Sequence, residues 1–352
     1  MRGRGDRLAG LAAERQLDLM LVTELVNVRY LTGFSGTNGA CVCGPETRVF
    51  LTDFRYTERA EEEVDGWEVR TLAEDWLAGI ADLLAGRVGF EDDHVSVRTL
   101  ERLKEKLREG VELVAGGETV ERLRRVKDSG ELAAIAAAAE LADEVFRWSL
   151  ERGLAGRSER EVARAAEARI RELGAEPSFP VIVAAGPNGA LPHAEPGERE
   201  IGRGELVVFD MGAKLDGYCS DGTRTFATGE PGETAREVYE LVGKAQTAAL
   251  DAVIAGTKAE AVDAVAREMI DAAGYGERFG HGLGHGVGLE IHEAPRVSYR
   301  SDDVLAAGEV VTIEPGVYLP GELGVRIEDL VVVTEDGHHD FSGIPKELQP
   351  FD

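Results

Sequence analysis

The chain has 352 residues, 43% hydrophobic and 30% charged, a globular balance with enough length for two domains. Its 66 acidic residues against 39 basic ones give a formal net charge of −27, a surface that repels phosphate backbones and argues against a nucleic-acid partner. No run approaches eighteen apolar residues, so no membrane span is expected.

The opening residues Met1 to Arg7 are followed by a mixed, helix-like stretch and not by an apolar segment, so no signal peptide is expected. Residues 7–17 read as an amphipathic helix, and Leu19-Met20-Leu21-Val22 as a short buried strand. Ala40 to Cys43 and Arg48 to Leu51 read as further strands, divided by Gly44-Pro45. A helix is expected over 55–63, strands at Val69 to Thr71 and Arg87 to Phe90, a helix near 74–85 between them, and another over 97–109. This alternation predicts a small α/β domain. Cys41, Cys43 and Cys219 form no C-x-x-C pair and are odd in number, which argues against a disulfide framework and for a reducing cytoplasm.

The pattern changes near residue 120. Asp128 and Glu131, three apart, have capping-box chemistry and open a long alanine-rich helix over 131–152. A second helix is expected over 158–173. The domain boundary is placed so that residues 1–124 form one domain and 125–352 the other, and the fold class is α+β.

The second domain carries an internal echo. Gly204-Glu205-Leu206-Val207-Val208-Phe209-Asp210-Met211-Gly212 resembles Gly308-Glu309-Val310-Val311-Thr312-Ile313-Glu314-Pro315-Gly316. A second acid follows each copy, Asp221 after the first and Glu328 after the second. Two similar halves, each offering two carboxylates, predict a pseudo-symmetric site where they meet. Asp210 and Glu314 end apolar strands, Asp221 precedes the β-prone run Thr223 to Phe226, and Glu328 lies deep in a strand-like run. Such acids are costly to bury alone, and divalent cations are efficient partners for several of them.

Three of the seven histidines fall in the glycine-rich stretch from Gly280 to Glu293: His281, His285 and His292. Val287, Leu289 and Ile291 alternate with smaller or polar residues, which predicts a half-buried strand with His281 and His285 on one face. One imidazole among four carboxylates makes a mixed oxygen and nitrogen donor set suited to Mn²⁺, Co²⁺ or Fe²⁺, and to Zn²⁺ less exclusively. Two such ions can share a water and lower its pKa toward neutrality. No rival nucleophile motif is present: there is no G-x-S-x-G, Walker A, H-E-x-x-H or strand-borne G-x-G-x-x-G. Ser35 reads as a turn residue, His94 as exposed, and His338-His339 as part of a hairpin turn after Asp336-Gly337.

The ordered set Asp210, Asp221, His285, Glu314 and Glu328 resembles the five metal ligands of the pita-bread metallopeptidases. The surrounding words are similar too: Ser220-Asp221-Gly222-Thr223-Arg224-Thr225, Gly282-Leu283-Gly284-His285-Gly286, Thr312-Ile313-Glu314-Pro315-Gly316 and Gly324-Val325-Arg326-Ile327-Glu328-Asp329. Asn27 to Gly39, Leu51 to Tyr56 and Arg122 to Asp128 resemble the proline-directed branch, in which a creatinase-like N-terminal domain precedes a pita-bread domain with pseudo-twofold halves. The resemblance implies two divalent ions, foremost Mn²⁺, with Asp221 and Glu328 bridging them and Asp210, His285 and Glu314 each serving one. Glu314 is implied in proton transfer. His193 and His292 are implied in catalysis at the scissile bond, His281 in contacting the substrate's proline side, and Arg326 in orienting a ligand carboxylate, with Tyr318 a weaker candidate beside it.

The implied activity is removal of the first residue from peptides with proline second, an Xaa-Pro aminopeptidase. The alternatives are an Xaa-Pro dipeptidase and, more distantly, a metal-free creatinase-like or binding protein. A homodimer is the implied assembly.

Overall fold

The computed structural model describes residues 3–72 and 75–348, and the chain separates into two compact units, Met1–Arg124 and Arg125–Asp352. In the first unit six strands form one mixed sheet in the order Glu68–Leu72, Arg48–Asp53, Gly39–Cys43, Leu19–Val22, Arg87–Phe90, Glu112–Ala115. The two central strands, Gly39–Cys43 and Leu19–Val22, are buried at every residue, as expected for apolar runs covered on both faces. The edge strand Glu68–Leu72 carries Glu68, Arg70 and Thr71 into solvent, which blunts the exposed edge.

The first helix of this unit keeps its expected length but begins three residues earlier, and the other three expected helices are shorter than the sequence pattern implied. The first runs Arg4–Glu14 and buries Leu8, Ala9 and Ala12. The 55–63 segment starts as a 3₁₀ turn capped by Asp53 before the helix Thr57–Glu63. Residue 74, where the helix near 74–85 was expected to begin, lies outside the described residues, and the helix itself is Trp76–Ala81, capped by Asp75. The last expected helix ends at Lys104.

In the second unit Asp128 caps the helix Ser129–Leu150 through a capping box with Glu131. Ser158 and Glu161 form a second capping box at the helix Glu159–Glu172. This helix pair packs on an antiparallel sheet of Thr223–Ala227, Leu206–Asp210 and Ile182–Ala185, with Phe146, Phe209 and Phe226 interlocked between the layers. A second helix pair, Glu233–Asp251 and Ala259–Ala272, packs on a five-stranded antiparallel sheet. Its order is Glu293–Val297, Gly284–Gly286, Val310–Ile313, Asp329–Thr334, Gly337–Asp340. Each half is therefore a helix pair against an antiparallel sheet. The echoed segments occupy equivalent places, Leu206–Asp210 and Val310–Ile313 each being the middle strand of its sheet.

Three local expectations are corrected. The strand read through Val287, Leu289 and Ile291 is limited to Gly284–Gly286, and residues 287–292 form a bend before Glu293–Val297. The alternation reflects a loop whose Val287 and Leu289 turn into the core. Glu328 is not inside a strand: Leu323–Arg326 and Asp329–Thr334 are separate strands with Ile327 and Glu328 at the break. His338 and His339 lie in the strand Gly337–Asp340, opposite Val333 and Val332, and the turn precedes them.

Candidate metal centre

Asp210 is the last residue of Leu206–Asp210 and pairs across the ladder with Thr223. Two residues before Thr223 stands Asp221. Glu314 follows the end of Val310–Ile313, its N–H donating to the Leu283 carbonyl at 2.8 Å. His285 lies in the middle of Gly284–Gly286, and Gly284 is there because a side chain would overlap the Thr312 carbonyl; a Cβ would sit 1.9 Å from that oxygen. Gly212 makes the same allowance on the other half, where a Cβ would meet the Ser220 carbonyl at 1.8 Å. The motif glycines thus let the backbones carrying the ligand candidates approach closely.

The donor groups converge. His285 Nε2 is 3.5 Å from Asp221 Oδ2 and 3.6 Å from Glu314 Oε1. Single ligand atoms of Asp221, His285 and Glu328 all lie within 4.8 Å of one another. Asp210 joins them through Arg326, whose Nη2 donates to Asp210 Oδ2 at 2.5 Å. The His285 Nδ1 faces the Gly286 carbonyl at 3.0 Å, which leaves Nε2 to face the carboxylates.

Two threonines orient the acids. Thr223 Oγ1 donates to Glu328 Oε2 at 2.6 Å and accepts from Arg326 Nε at 3.1 Å. Thr312 Oγ1 donates to Glu314 Oε1 at 3.3 Å and accepts from the His285 N–H at 3.1 Å. The sequence reading did not single out either threonine as a site residue. The available signal was spacing: each lies two residues from an acid, Thr223 after Asp221 and Thr312 before Glu314.

The electrostatics of this cluster call for cations. Four carboxylates face a single guanidinium, Arg326. Burial, then the charges of Glu328, Asp210 and Glu314, push Asp221 well above the usual carboxylate range. Burial followed by Glu314 and Asp210 does the same to Glu328. Burial lifts Glu314 to about 8, with Arg326 opposing the rise. Burial also holds His285 down at about 4, so the ring is neutral and its Nε2 can ligate. The decisive observation is Asp210 Oδ1, a buried carboxylate oxygen with no hydrogen-bond partner among the described residues. An oxygen buried in that way is costly unless a cation completes it, and the surrounding oxygen and nitrogen donors fit divalent metal.

The substrate-contact candidates lie around this cluster. His292 is exposed, with its ring centroid 4.5 Å from that of His285. His281 Nε2 is 3.0 Å from the Tyr318 hydroxyl, which accepts from Arg326 Nη1 at 3.0 Å; burial holds His281 at about 4. His281 and His285 do not share a strand face as the alternation implied, since residues 281–283 precede the strand. His193 sits exposed on a turn near enough to His281 to oppose its charge, and Arg326 Nη1 also donates to the neighbouring Pro192 carbonyl at 3.1 Å. Arg326 reaches Asp210 directly and Glu328 only through Thr223.

Comparison with known proteins places both units. Residues 133–335 match the model of metallopeptidase family M24, and residues 4–126 match the creatinase/prolidase N-terminal domain. An Xaa-Pro dipeptidase of Pyrococcus furiosus is 38% identical, over 99% of this chain and 100% of its own length. The solved structure of an Xaa-Pro dipeptidase from Bacillus anthracis matches with a TM-score of 0.95 at 38% identity, covering 99% of each chain. That of an X-Pro aminopeptidase from Thermotoga maritima matches with a TM-score of 0.91 at 35% identity, covering 98% of this chain and 99% of the other.

Proposed function

Since the chain belongs to metallopeptidase family M24, we propose that it is an Xaa-Pro aminopeptidase, which removes the first residue of peptides whose second residue is proline. The observation that carries the metal-dependent chemistry is the gathering of Asp221, His285, Glu314 and Glu328, with Asp210 held by Arg326 and its buried Oδ1 left unpartnered. The proline preference is supported by full-length relatives named for Xaa-Pro hydrolysis.

In this reading Asp210, Asp221, His285, Glu314 and Glu328 would hold two divalent ions. The donor set favours Mn²⁺, with Co²⁺, Fe²⁺ or Zn²⁺ as substitutes. Bound divalent ions supply Lewis acidity and an acidified water near neutral pH. The residues of the chain do the rest. Arg326 and Thr223 hold Asp210 and Glu328 in register. Glu314, its Oε1 oriented by Thr312, takes the proton from the attacking water and returns it to the leaving proline nitrogen. His292 donates to the oxygen that gains charge in the tetrahedral transition state. His281, neutral and fixed by Tyr318, faces the proline side, and His193 contacts the substrate near the scissile bond.

A second reading, an Xaa-Pro dipeptidase, is favoured by the names of the Pyrococcus furiosus and Bacillus anthracis relatives. The two differ only in tolerated substrate length. Cleavage of Gly-Pro-type dipeptides and of longer Xaa-Pro peptides, assayed side by side with Mn²⁺, separates them. Turnover of both lengths supports the aminopeptidase, turnover of dipeptides alone supports the dipeptidase, and turnover of neither overturns the proline assignment. A homodimer is the assembly expected by likeness, to be read from sedimentation. The three cysteines are free and buried, which supports a reducing compartment, and no described helix is long and apolar enough to cross a membrane.

A further inference from the structure

Glu328 occupies the break between two strands, and its backbone is fixed from the side instead of by a regular ladder. Its N–H donates to the Thr223 carbonyl at 3.0 Å, and its carbonyl accepts from Arg224 Nη1 at 2.5 Å. Arg224 Nη1 also donates to the Thr223 carbonyl at 3.0 Å, so one guanidinium nitrogen holds both the Glu328 carbonyl and the carbonyl that the Glu328 N–H bonds. Its Nη2 pairs with Asp329 Oδ1 at 2.6 Å, and the two side chains are 3% and 0% exposed. The other oxygen of Asp329 accepts from Gln246 Nε2 at 2.7 Å and from Lys346 Nζ at 2.5 Å.

The network does not end there. Arg224 Nε and Nη2 both donate to the Ile344 carbonyl, at 3.0 and 2.7 Å. Residues 341–348 have no regular structure, yet Ile344 is buried and the Gly343 N–H donates to Asp143 at 2.6 Å. An irregular stretch is thus tied by its backbone to Arg224 and by Lys346 to Asp329, the residue adjoining a ligand candidate. A buried ion cluster is a poor way to gain stability, because desolvation offsets most of its attraction. What a guanidinium fork adds is fixed direction, here applied to the carbonyls of Thr223 and Glu328.

We propose that Arg224 and Asp329, braced by Lys346, are positioning residues for Glu328, which makes the stretch 341–348 a working part of the metal centre. The proposal rests on the reading of Glu328 as a ligand. Arg224 sets the carbonyl of Glu328, Thr223 sets its carboxylate, and Lys346 keeps Asp329 aligned on Arg224.

The test is Mn²⁺ binding to metal-stripped protein by calorimetry, with thermal unfolding of the same samples. Lys346 is one-third exposed, so Lys346→Met should fold, and Asp329→Asn serves as a second variant. Both are expected to bind Mn²⁺ about tenfold or more weakly, the usual cost of losing a residue that orients a ligand. Lys346→Arg should retain wild-type affinity, and excess Mn²⁺ should restore kcat in Lys346→Met with KM unchanged. Glu328→Gln is the control. If it weakens binding while Lys346→Met and Asp329→Asn bind as wild type and merely unfold at lower temperature, the positioning role is overturned. If Glu328→Gln also binds as wild type, the ligand reading falls and takes the proposal with it.

Discussion

Thr223 joins three residues of the site without being a ligand candidate itself. Its hydroxyl takes a hydrogen bond from Arg326 and gives one to Glu328, while its backbone pairs with Asp210. Thr223→Val keeps the shape and removes the hydroxyl, leaving a buried carboxylate oxygen and an Arg326 N–H without that partner. The expected loss is about 1–3 kcal/mol, appearing as a roughly tenfold weaker Mn²⁺ affinity in calorimetry. Unchanged affinity would mean that Glu328 needs no such guide. His292 is a different case, exposed and beside His285. His292→Ala should lower kcat by about 10²–10³-fold with KM little changed, as for a donor that acts on the transition state. A change confined to KM in steady-state assays would assign it to binding. The residue scale is also where the sequence was most legible. Asp210 and Glu314 stand out because acids at the ends of apolar strands are costly without a partner, whereas the full set with Asp221, His285 and Glu328 is assembled through the family resemblance. The threonines escaped because a threonine in a strand is ordinary, and only the geometry reveals what its hydroxyl faces.

At the scale of elements, the sites of successful and failed reading have physical reasons. The capping box at Asp128 was readable because a cap is a local interaction fixed by a spacing of three. The echoed strands were readable because apolar runs ending in an acid are distinctive. The loop 287–292 was read as a strand because alternation records which residues are buried, not whether a ladder forms. The break at Glu328 was invisible for the same reason, since Ile327 and Leu330 are buried on either side of it. Close approach is the element-level property that can be tested. Gly284→Ala would drive a methyl into the Thr312 carbonyl and push the His285 strand away from Val310–Ile313. The expected outcome is destabilisation by about 1–3 kcal/mol in denaturant unfolding, together with weakened Mn²⁺ binding. Wild-type stability and binding would show that the two strands tolerate a wider spacing.

At the scale of the whole molecule, the metal centre couples folding to pH. The carboxyls of Asp221, Glu314 and Glu328 are held above their ordinary range by burial and by neighbouring carboxylates, Asp210 among them. The folded, metal-stripped protein therefore binds more protons than the unfolded chain. Its stability should fall as pH rises from the ordinary carboxylate range toward about 8, the value for Glu314. Ligation requires the ionised carboxylates, so loading should release protons and affinity should weaken as pH is lowered. Thermal unfolding of stripped and Mn²⁺-loaded protein between pH 5 and pH 8.5, roughly spanning that window, checks both signs. The stripped protein should lose stability upward through the window and the loaded protein should not; parallel curves would refute the coupling. The division into an α/β unit and an α+β unit was suggested by composition and element order, because alternating short strands and helices differ in pattern from a long alanine-rich helix followed by a second one. How the helix pairs and sheets repeat in the second unit became plain only from the strand order.

The most direct test is anomalous scattering from a crystal of the chain grown with Mn²⁺, compared with one of Asp221→Ala. Two peaks ringed by Asp210, Asp221, His285, Glu314 and Glu328 in the wild type, with at least one lost in the variant, are the predicted result. No peak among these five side chains, or the same two peaks in the variant, would contradict it.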